Sequence, residues 1–382
     1  MKILLIHAEY QLKGGEDSVI QQEYNLLNSG HEVKLLIYKN RSGVRGALQF
    51  FFSIYNFITA NNIRDEIKRY RPDVVHFHNW HYSIGPAAIR AVQKEKVPIV
   101  MTLHNFRLLC PSATLINKGR LFTDSLSSSF PWKALYRKVY RDSYLQTFWL
   151  AFIVWFHKKI GTWKMVTKYI VLTQFAKDLF ITSKLGLDES YFSVKPNFVE
   201  KPASEYLKRE DHFLFVGRLS IEKGIMLLIE VFRNIPSILY IAGDGPLLEE
   251  IRKNITQIPN IILLGNLSQE DVELEMRRCT ALIFPSIWFE GMPMTIIEAL
   301  AVGTPVIASN LGAMSSMISN EKNGLHFTAN DPKDLKKQIC YWNAVSVTQK
   351  QNYGENALAS FQDNYTAKSN LNQLLYIYIN LS

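Results

Sequence analysis

Short apolar runs, each followed by a stretch of helical character, recur along the whole chain, and this alternation limits the possible folds more than any other feature. Residues 3–7 form a continuous apolar run, as expected for a strand covered on both faces. Gly14 and Gly15 follow, then Val19, Tyr24, Leu26 and Leu27 at helical spacing, with Gly30 as a stop signal. Strand-type runs return at 31–38, 74–77, 99–103 and 169–173, the last leading into a helix over 175–183. The pattern then restarts at 213–216, 238–242, 261–264, 281–284 and 305–308. Alternating strands and helices predict an α/β protein with two doubly wound, Rossmann-like parallel sheets. A length of 382 residues suits two domains. The join is expected near 195–208, a stretch with Pro196, Pro202 and several charges. The expected domains are 1–196 and 197–363.

The totals exclude several classes. Cys110, Cys279 and Cys340 are far apart and odd in number, which suggests neither a disulfide framework nor a zinc site and fits a reducing cytoplasm. The longest uncharged apolar run, 144–156, has 13 residues, short of the ~18 needed to cross a bilayer. The N-terminal MKILLIHAEY has no small-residue cleavage site and reads as a first strand. Charge is uneven. Residues 1–200 hold 27 Lys and Arg against 15 Asp and Glu, a net +12, whereas residues 201–382 carry a net −3. A basic first half implies an anionic neighbour, yet no helix-turn-helix, zinc or RNP-like pattern points to nucleic acid.

In open α/β sheets, ligands sit beyond the carboxyl ends of the strands, so the residues just after each strand are the candidates. Gly15 follows the first strand and opens a helix, where a phosphate could approach the backbone. There is no GxGxxG, and no acidic residue ends the second strand, against a nicotinamide site. Gly217 and Arg218 end the first strand of the second half, and Lys223 follows five residues later; two cations there can clamp a diphosphate. Glu290 and Glu298 flank Gly291, Met292, Pro293 and Met294. Pro293 favours a helix start, so the amides of 291–295 are expected to be unpaired donors. Carboxylates accept from sugar or ribose hydroxyls, and the amides suit a phosphate. His76 and His78 share one face of a strand, with His81 nearby; packing or an acceptor-side lining is the stronger expectation there than a metal pair.

The segments VGRL…EKG, GDGP (from Gly243) and EGMPMTIIEALAVGTPVIAS together resemble glycosyltransferase family 4, the retaining GT-B enzymes, and Glu290-x7-Glu298 matches that family's spacing. PDVVHFHNW, VPIVMTLHNFRLLCPSATL and VKPNFV resemble its bacterial polysaccharide-biosynthesis branch. The resemblance implies two Rossmann-like domains facing across a cleft, with a final helix of about 364–382 returning to the first. It implies that Glu290 and His104 meet the donor sugar, that Arg218 and Lys223 neutralise the diphosphate, and that Glu298 holds the ribose. Gly15, Asn197, Gly217, Gly243, Gly291, Met292, Pro293 and Met294 complete the donor site. No cofactor or metal is expected, the UDP- or GDP-linked sugar being a co-substrate. One departure is visible: many relatives in this branch carry cysteines between about 115 and 140, and this chain has none there.

Around 144–156 stand Lys133, Arg137, Lys138, Arg141, Lys158, Lys159, Lys164 and Lys168, with Trp132, Trp149, Trp155 and Trp163. A basic aromatic helix too short to span can lie on an anionic membrane surface; a buried core helix is the other reading. The expectation is a peripheral enzyme on the cytoplasmic face acting on a lipid-linked saccharide. Two rivals share the fold, a nucleotide-sugar 2-epimerase and a non-catalytic nucleotide-sugar-binding subunit.

Overall fold

The computed structural model describes residues 1–10, 15–200 and 207–381. Gly14 and Pro202, singled out above, lie outside the described residues. By contacts the chain divides into two units, one of residues 1–117, 122–197 and 370–382, the other of 118–121 and 198–369.

The first unit opens with β1 (Lys2–Glu9), α1 (Gly15–Asn28), β2 (Glu32–Lys39), α2 (Gly43–Phe52), α3 (Phe57–Tyr70), β3 (Val74–Asn79), α4 (Ala87–Lys94) and β4 (Ile99–Leu103). After a short hairpin, β5 (Ile116–Asn117) and β6 (Arg120–Leu121), come α5 (Trp132–Tyr136), α6 (Tyr144–Lys159), β7 (Lys168–Val171), α7 (Gln174–Thr182) and β8 (Phe192–Val194). The sheet order is β2-β1-β3-β4-β7-β8, and every pairing is parallel. β1, β3 and β4 are buried along nearly their whole length, which accounts for their unbroken apolar runs, whereas the edge strand β2 alternates between partial exposure and exposure.

The second unit runs β9 (His212–Val216), α8 (Ile225–Phe232), β10 (Ile238–Ala242), α9 (Leu248–Ile255), β11 (Ile261–Gly265), α10 (Gln269–Arg278), β12 (Ala281–Phe284), α11 (Met294–Ala301), β13 (Val306–Ser309), α12 (Ala313–Met317), β14 (Gly324–Phe327), α13 (Pro332–Ala344) and α14 (Val347–Asn364). Its sheet order, β11-β10-β9-β12-β13-β14, is again all parallel. Phe213, Phe215, Phe232, Leu239, Ile283 and Trp342 form its core; burying each such side chain stabilises the fold by about 1.5–3 kcal/mol. The last helix, α15 (Ala367–Ile379), places Leu374, Ile377 and Tyr378 against Ile3, Val74 and Val100 in the core of the first unit.

In each sheet the strand order reverses beside the first strand, between β1 and β3 and between β9 and β12. Such a reversal opens a crevice at the carboxyl ends. In the second unit the loop ends there are locked by backbone contacts. Gly217 N–H donates to the Ala242 carbonyl at 3.0 Å, Gly243 N–H to Gly265 at 2.7 Å, and Leu219 N–H to Asp244 at 2.9 Å. Gly243 has φ +144, and a Cβ there would lie 1.9 Å from the Gly217 carbonyl oxygen. The GDGP segment therefore has a packing role of its own: it seats the loop that carries Arg218.

Gly243→Ala is expected to destabilise the second unit by about 2 kcal/mol or more, because strain and a backbone clash coincide. Gly30, around which a Cβ would meet nothing within 4 Å, serves as control, with Gly30→Ala within about 0.5 kcal/mol of the parent. Equal chemical-denaturation midpoints for the two variants would refute this account of Gly243.

Candidate active site

The two loops flanking the β9/β12 reversal build the site in the second unit. After β9 the chain makes a single 3-10 turn, Ile221–Lys223, closed by Gly224 at φ +71. A Cβ on Gly224 would lie 2.1 Å from the Pro285 carbonyl oxygen just beyond β12. Ile287 N–H donates to the Glu222 carbonyl at 3.0 Å, tying the loops a second time. This contact delivers Lys223 to Glu290: Lys223 Nζ donates to Glu290 Oε1 at 2.7 Å, and Ser286 Oγ donates to the same oxygen at 2.5 Å. The ammonium also sits 5.6 Å from the Phe284 ring and 5.3 Å from the Trp288 ring. Glu290 is buried, and Lys223 retains partial exposure.

α11 starts directly after this carboxylate. Pro293 occupies its N-cap with extended backbone instead of the first helical position anticipated from the sequence, and no side chain caps the first turn. The early amides of α11 are thereby left as donors beside Glu290. Met292 and Pro293 are buried; Gly291 and Met294 are half-buried. Glu298 lies in the body of α11, half-buried, and burial pushes its carboxyl up from the ordinary value. Arg218 is exposed. Its side chain has no hydrogen bond or ion pair among the described residues, so it does not join the Lys223–Glu290 pair.

His104 follows β4 in the first unit, within a chain of buried polar groups. His104 Nε2 and His78 Nδ1 are 3.1 Å apart, and His78 Nε2 is 2.9 Å from Glu23 Oε1. Lys195 Nζ donates to Glu23 Oε2 at 2.9 Å and to Asn370 Oδ1 at 3.2 Å. Burial alone would raise the Glu23 carboxyl, but the Lys195 ammonium and a hydrogen bond from His78 outweigh it and hold it well below the usual range. Burial holds His104 well below the ordinary histidine value, so it is neutral. Single-atom donors of Glu23, His76 and His78 lie within 4.8 Å of one another. They do not suit a cation: Lys195 already brings an ammonium, and His76 uses both nitrogens, on Tyr378 Oη at 2.6 Å and Thr102 Oγ1 at 2.7 Å. Gly15 begins α1 in an exposed position, and Asn197 is buried. Glu23, Lys195 and Asn370 carried no sequence signal, since their partners are 55 to 175 residues distant.

The basic aromatic segment divides. Within α6, Thr147, Leu150, Ala151, Ile153 and His157 are buried, while Tyr144, Leu145 and Phe148 are exposed. Trp163 belongs to the core, its Nε1 donating to the Val154 carbonyl, and so contributes nothing to the exposed face. Trp149 and Trp155 are half-buried. Lys133 pairs with Asp124 at 3.0 Å, and Lys158 donates to the Lys184 carbonyl. Lys138 lies over the Tyr144 ring, Lys159 over Trp155, Arg137 over Phe122 and Arg141 over Tyr140. The exposed face continues onto α2, which buries no residue, through Phe51 stacked on Trp149 at 4.9 Å. Leu48, Phe51, Phe52, Phe57 and Ile58 are all more than half exposed.

Lys223→Met is expected to cost about 1–3 kcal/mol in a denaturant titration, below the figure for a fully buried pair because Lys223 is partly solvated. Glu290→Gln, which keeps an acceptor for Ser286, is expected to cost less. If both variants match the parent, the pair does not organise the loops.

The family described as Glycosyltransferase Family 4 matches residues 13–201, and that described as Glycosyl transferases group 1 matches residues 199–359. An uncharacterized glycosyltransferase of Methanocaldococcus jannaschii is 35% identical over 33% of this chain and 36% of its own length. The O-antigen chain mannosyltransferase C of Escherichia coli is 28% identical over 45% of this chain and 47% of its own length. The UDP-Gal:alpha-D-GlcNAc-diphosphoundecaprenol alpha-1,3-galactosyltransferase of Escherichia coli is 30% identical over 44% and 49%. The chain thus spans about half or less of the length of these curated relatives. Among solved structures, a glycosyltransferase from Rickettsia africae superposes with a TM-score of 0.71 at 17% identity over 100% of this chain and 98% of that one. Anabaena HepE, solved in complex with UDP, superposes with a TM-score of 0.69 at 16% identity over 99% of both chains. The folds agree, and the two family matches run through both units: the chain belongs to the glycosyltransferases of GT-B fold, family 4 in its first half and group 1 in its second.

Proposed function

We propose that this protein is a retaining glycosyltransferase that moves a hexose-type sugar from a UDP- or GDP-linked donor to a lipid-linked saccharide or related glycan in cell-surface polysaccharide biosynthesis. The observation that carries the reading is the Lys223–Glu290 pair beside the uncapped start of α11. An ammonium and a row of backbone donors stabilise a diphosphate as it leaves, and this requires no bound metal. Arg218 adds a second, exposed cation, and Glu298 takes the ribose hydroxyls. Glu290 accepts from donor-sugar hydroxyls while the bond from Lys223 holds it in place. A front-face route, in which the departing phosphate assists the incoming hydroxyl, retains configuration without a protein nucleophile.

A saccharide acceptor is supported by the first unit. Glu16 Oε2, Arg107 Nε and Nη1, and His81 Nε2 are buried without a hydrogen-bond partner among the described residues. Tyr140 lies beneath Arg107, and Tyr82 stacks on His81. Sugar hydroxyls both donate and accept, which suits such a mixed set. A lipid-linked acceptor is supported by the exposed apolar face of α2, α5 and α6 and its cations, which suit an anionic bilayer surface. No helix among the described residues is long and apolar enough to cross a membrane. Peripheral attachment at the cytoplasmic face follows from this reading.

With membranes present and a panel of UDP-, GDP-, ADP- and dTDP-sugars, one donor is expected to release nucleotide. Glu290→Ala and Lys223→Ala are expected to slow that release by about 100-fold or more. Unchanged rates would refute the assigned roles, binding without turnover would make the protein a binding subunit, and conversion without acceptor would indicate epimerisation or hydrolysis. In a vesicle flotation assay, binding is expected for phosphatidylglycerol-rich vesicles and to weaken with salt. Leu145→Glu with Phe52→Glu is expected to abolish binding at unchanged stability. Equal binding of parent and variant would remove the membrane face.

A further inference from the structure

The three groups Glu23, His78 and His104 come from α1, β3 and the loop after β4, and the two gaps between them are both of hydrogen-bond length, 2.9 and 3.1 Å. The order of proton donors along this row is fixed by chemistry. Glu23 is ionised, held so by Lys195 at 2.9 Å. An ionised carboxylate only accepts, so the hydrogen between Glu23 and His78 sits on His78 Nε2. The buried group already contains one ammonium against one carboxylate. A neutral imidazole carries a single ring hydrogen, so with that hydrogen on Nε2 the Nδ1 of His78 is a bare acceptor facing His104. A bare nitrogen 3.1 Å from His104 Nε2 requires a hydrogen on that Nε2. Burial keeps His104 neutral, so its own Nδ1 carries none and offers a lone pair.

We propose that Glu23, acting through His78, is a positioning residue that fixes His104 in the Nε2–H tautomer, so that His104 Nδ1 serves as a hydrogen-bond acceptor for a substrate hydroxyl. Nδ1 makes no hydrogen bond among the described residues, and His104 lines a cavity with Asn79, Trp80, Asn105 and Arg107. A hydroxyl is the ligand group that fits, because it supplies the hydrogen that Nδ1 lacks. The rest of the network holds the relay rigid. Asn370 Nδ2 donates to the Pro196 carbonyl at 2.6 Å while its Oδ1 accepts from Lys195, and His76 is anchored between Tyr378 and Thr102. Lys195 thus has a fixed geometry from which to neutralise Glu23. With the opposite tautomer, His104 would turn an N–H toward the substrate and leave His78 Nδ1 buried and unpaired. The proposal rests on the reading of His104 as a residue of the transfer reaction.

Two-bond proton–nitrogen correlation spectra of protein labelled with ring nitrogen-15 histidine report the tautomer directly, with His104 assigned by its loss in His104→Gln. The parent is expected to show His104 protonated at Nε2 and bare at Nδ1; a proton on Nδ1 overturns the proposal without recourse to any variant. His78→Leu is expected to release His104 into a mixture of tautomers. Transfer should then slow by about 10- to 100-fold, the size typical of losing a group that orients a first ligand, with the donor KM within about twofold. His78→Gln offers an amide donor to Glu23 and a carbonyl acceptor to His104, and is expected to restore the parent tautomer and most of the rate. An unchanged His104 spectrum in His78→Leu overturns the relay. The expected tautomer combined with full activity of His104→Gln would instead sink the underlying role of His104 and leave the relay standing, so the two failures are distinguishable.

Discussion

The site in the second unit depends on a backbone contact behind it. Gly224 lies so close to the Pro285 carbonyl that no side chain fits between them, and the hydrogen bond from Ile287 to Glu222 ties the loops after β9 and β12 a second time. Without that approach, the 2.7 Å bond from Lys223 to Glu290 would have to be formed by two long side chains on independent loops. The entropy of ordering them would then offset most of the gain. The same logic holds one strand further out, where Gly243 sits against Gly217 and seats Arg218. Small residues at these strand ends carry the charges by letting backbones touch.

The first unit solves a different problem. Glu23 and Lys195 are almost wholly buried, and an isolated buried ion is costly by several kcal/mol. Each oxygen of Glu23 is satisfied, one by Lys195 and one by His78, and Asn370 occupies a further donor of the ammonium. Asn370 stands on α15, whose apolar side packs on β1, β3 and β4. The last helix is thus both part of the core and a polar brace. A network completed from both ends of the chain forms only when the whole first unit has folded, which ties the geometry around His104 to the global fold.

Much of the fold was legible because buried parallel strands write themselves as unbroken apolar runs. The strands at 99–103, 238–242 and 281–284 match their sequence bounds. The edge strands β8 and β14 were missed. They are three and four residues long and lack the flanking apolar length that marks a central strand. In the candidate site, local spacing pointed to the two loops that carry Lys223 and Glu290, and loops adjoining neighbouring strands are brought together by the strand order itself. It could not give the Lys223–Glu290 bond, which needs the Gly224 contact, or the placement of Pro293 at the N-cap. Nor could it reach Glu23 or Lys195, whose meaning arises only from residues far away in sequence. Trp163 shows the limit of composition: four tryptophans in a basic segment look equivalent, yet one is core and the rest are not.

The exposed face of the first unit follows from that division. A helix that packs on a sheet must bury a stripe, and α6 does so through Leu150, Ile153 and their neighbours. α2 buries nothing, although Leu48, Phe51 and Phe52 are apolar. A helix of that kind has no reason to be stable in water alone; it is held by Phe50, whose ring meets Tyr82 and Tyr140, and by Trp149, which stacks on Phe51 and donates its indole hydrogen to the Phe50 carbonyl at 3.0 Å. Trp149 therefore joins α2 to the exposed side of α6, and the two present one continuous apolar surface rather than scattered residues. Contiguous apolar surface of this kind marks an interaction site. The neighbouring Arg137, Lys138, Arg141 and Lys159 lie over aromatic rings, which holds their charged ends close to that surface. Rings below and cations at the rim give such a face an affinity for a boundary that is apolar inside and anionic outside.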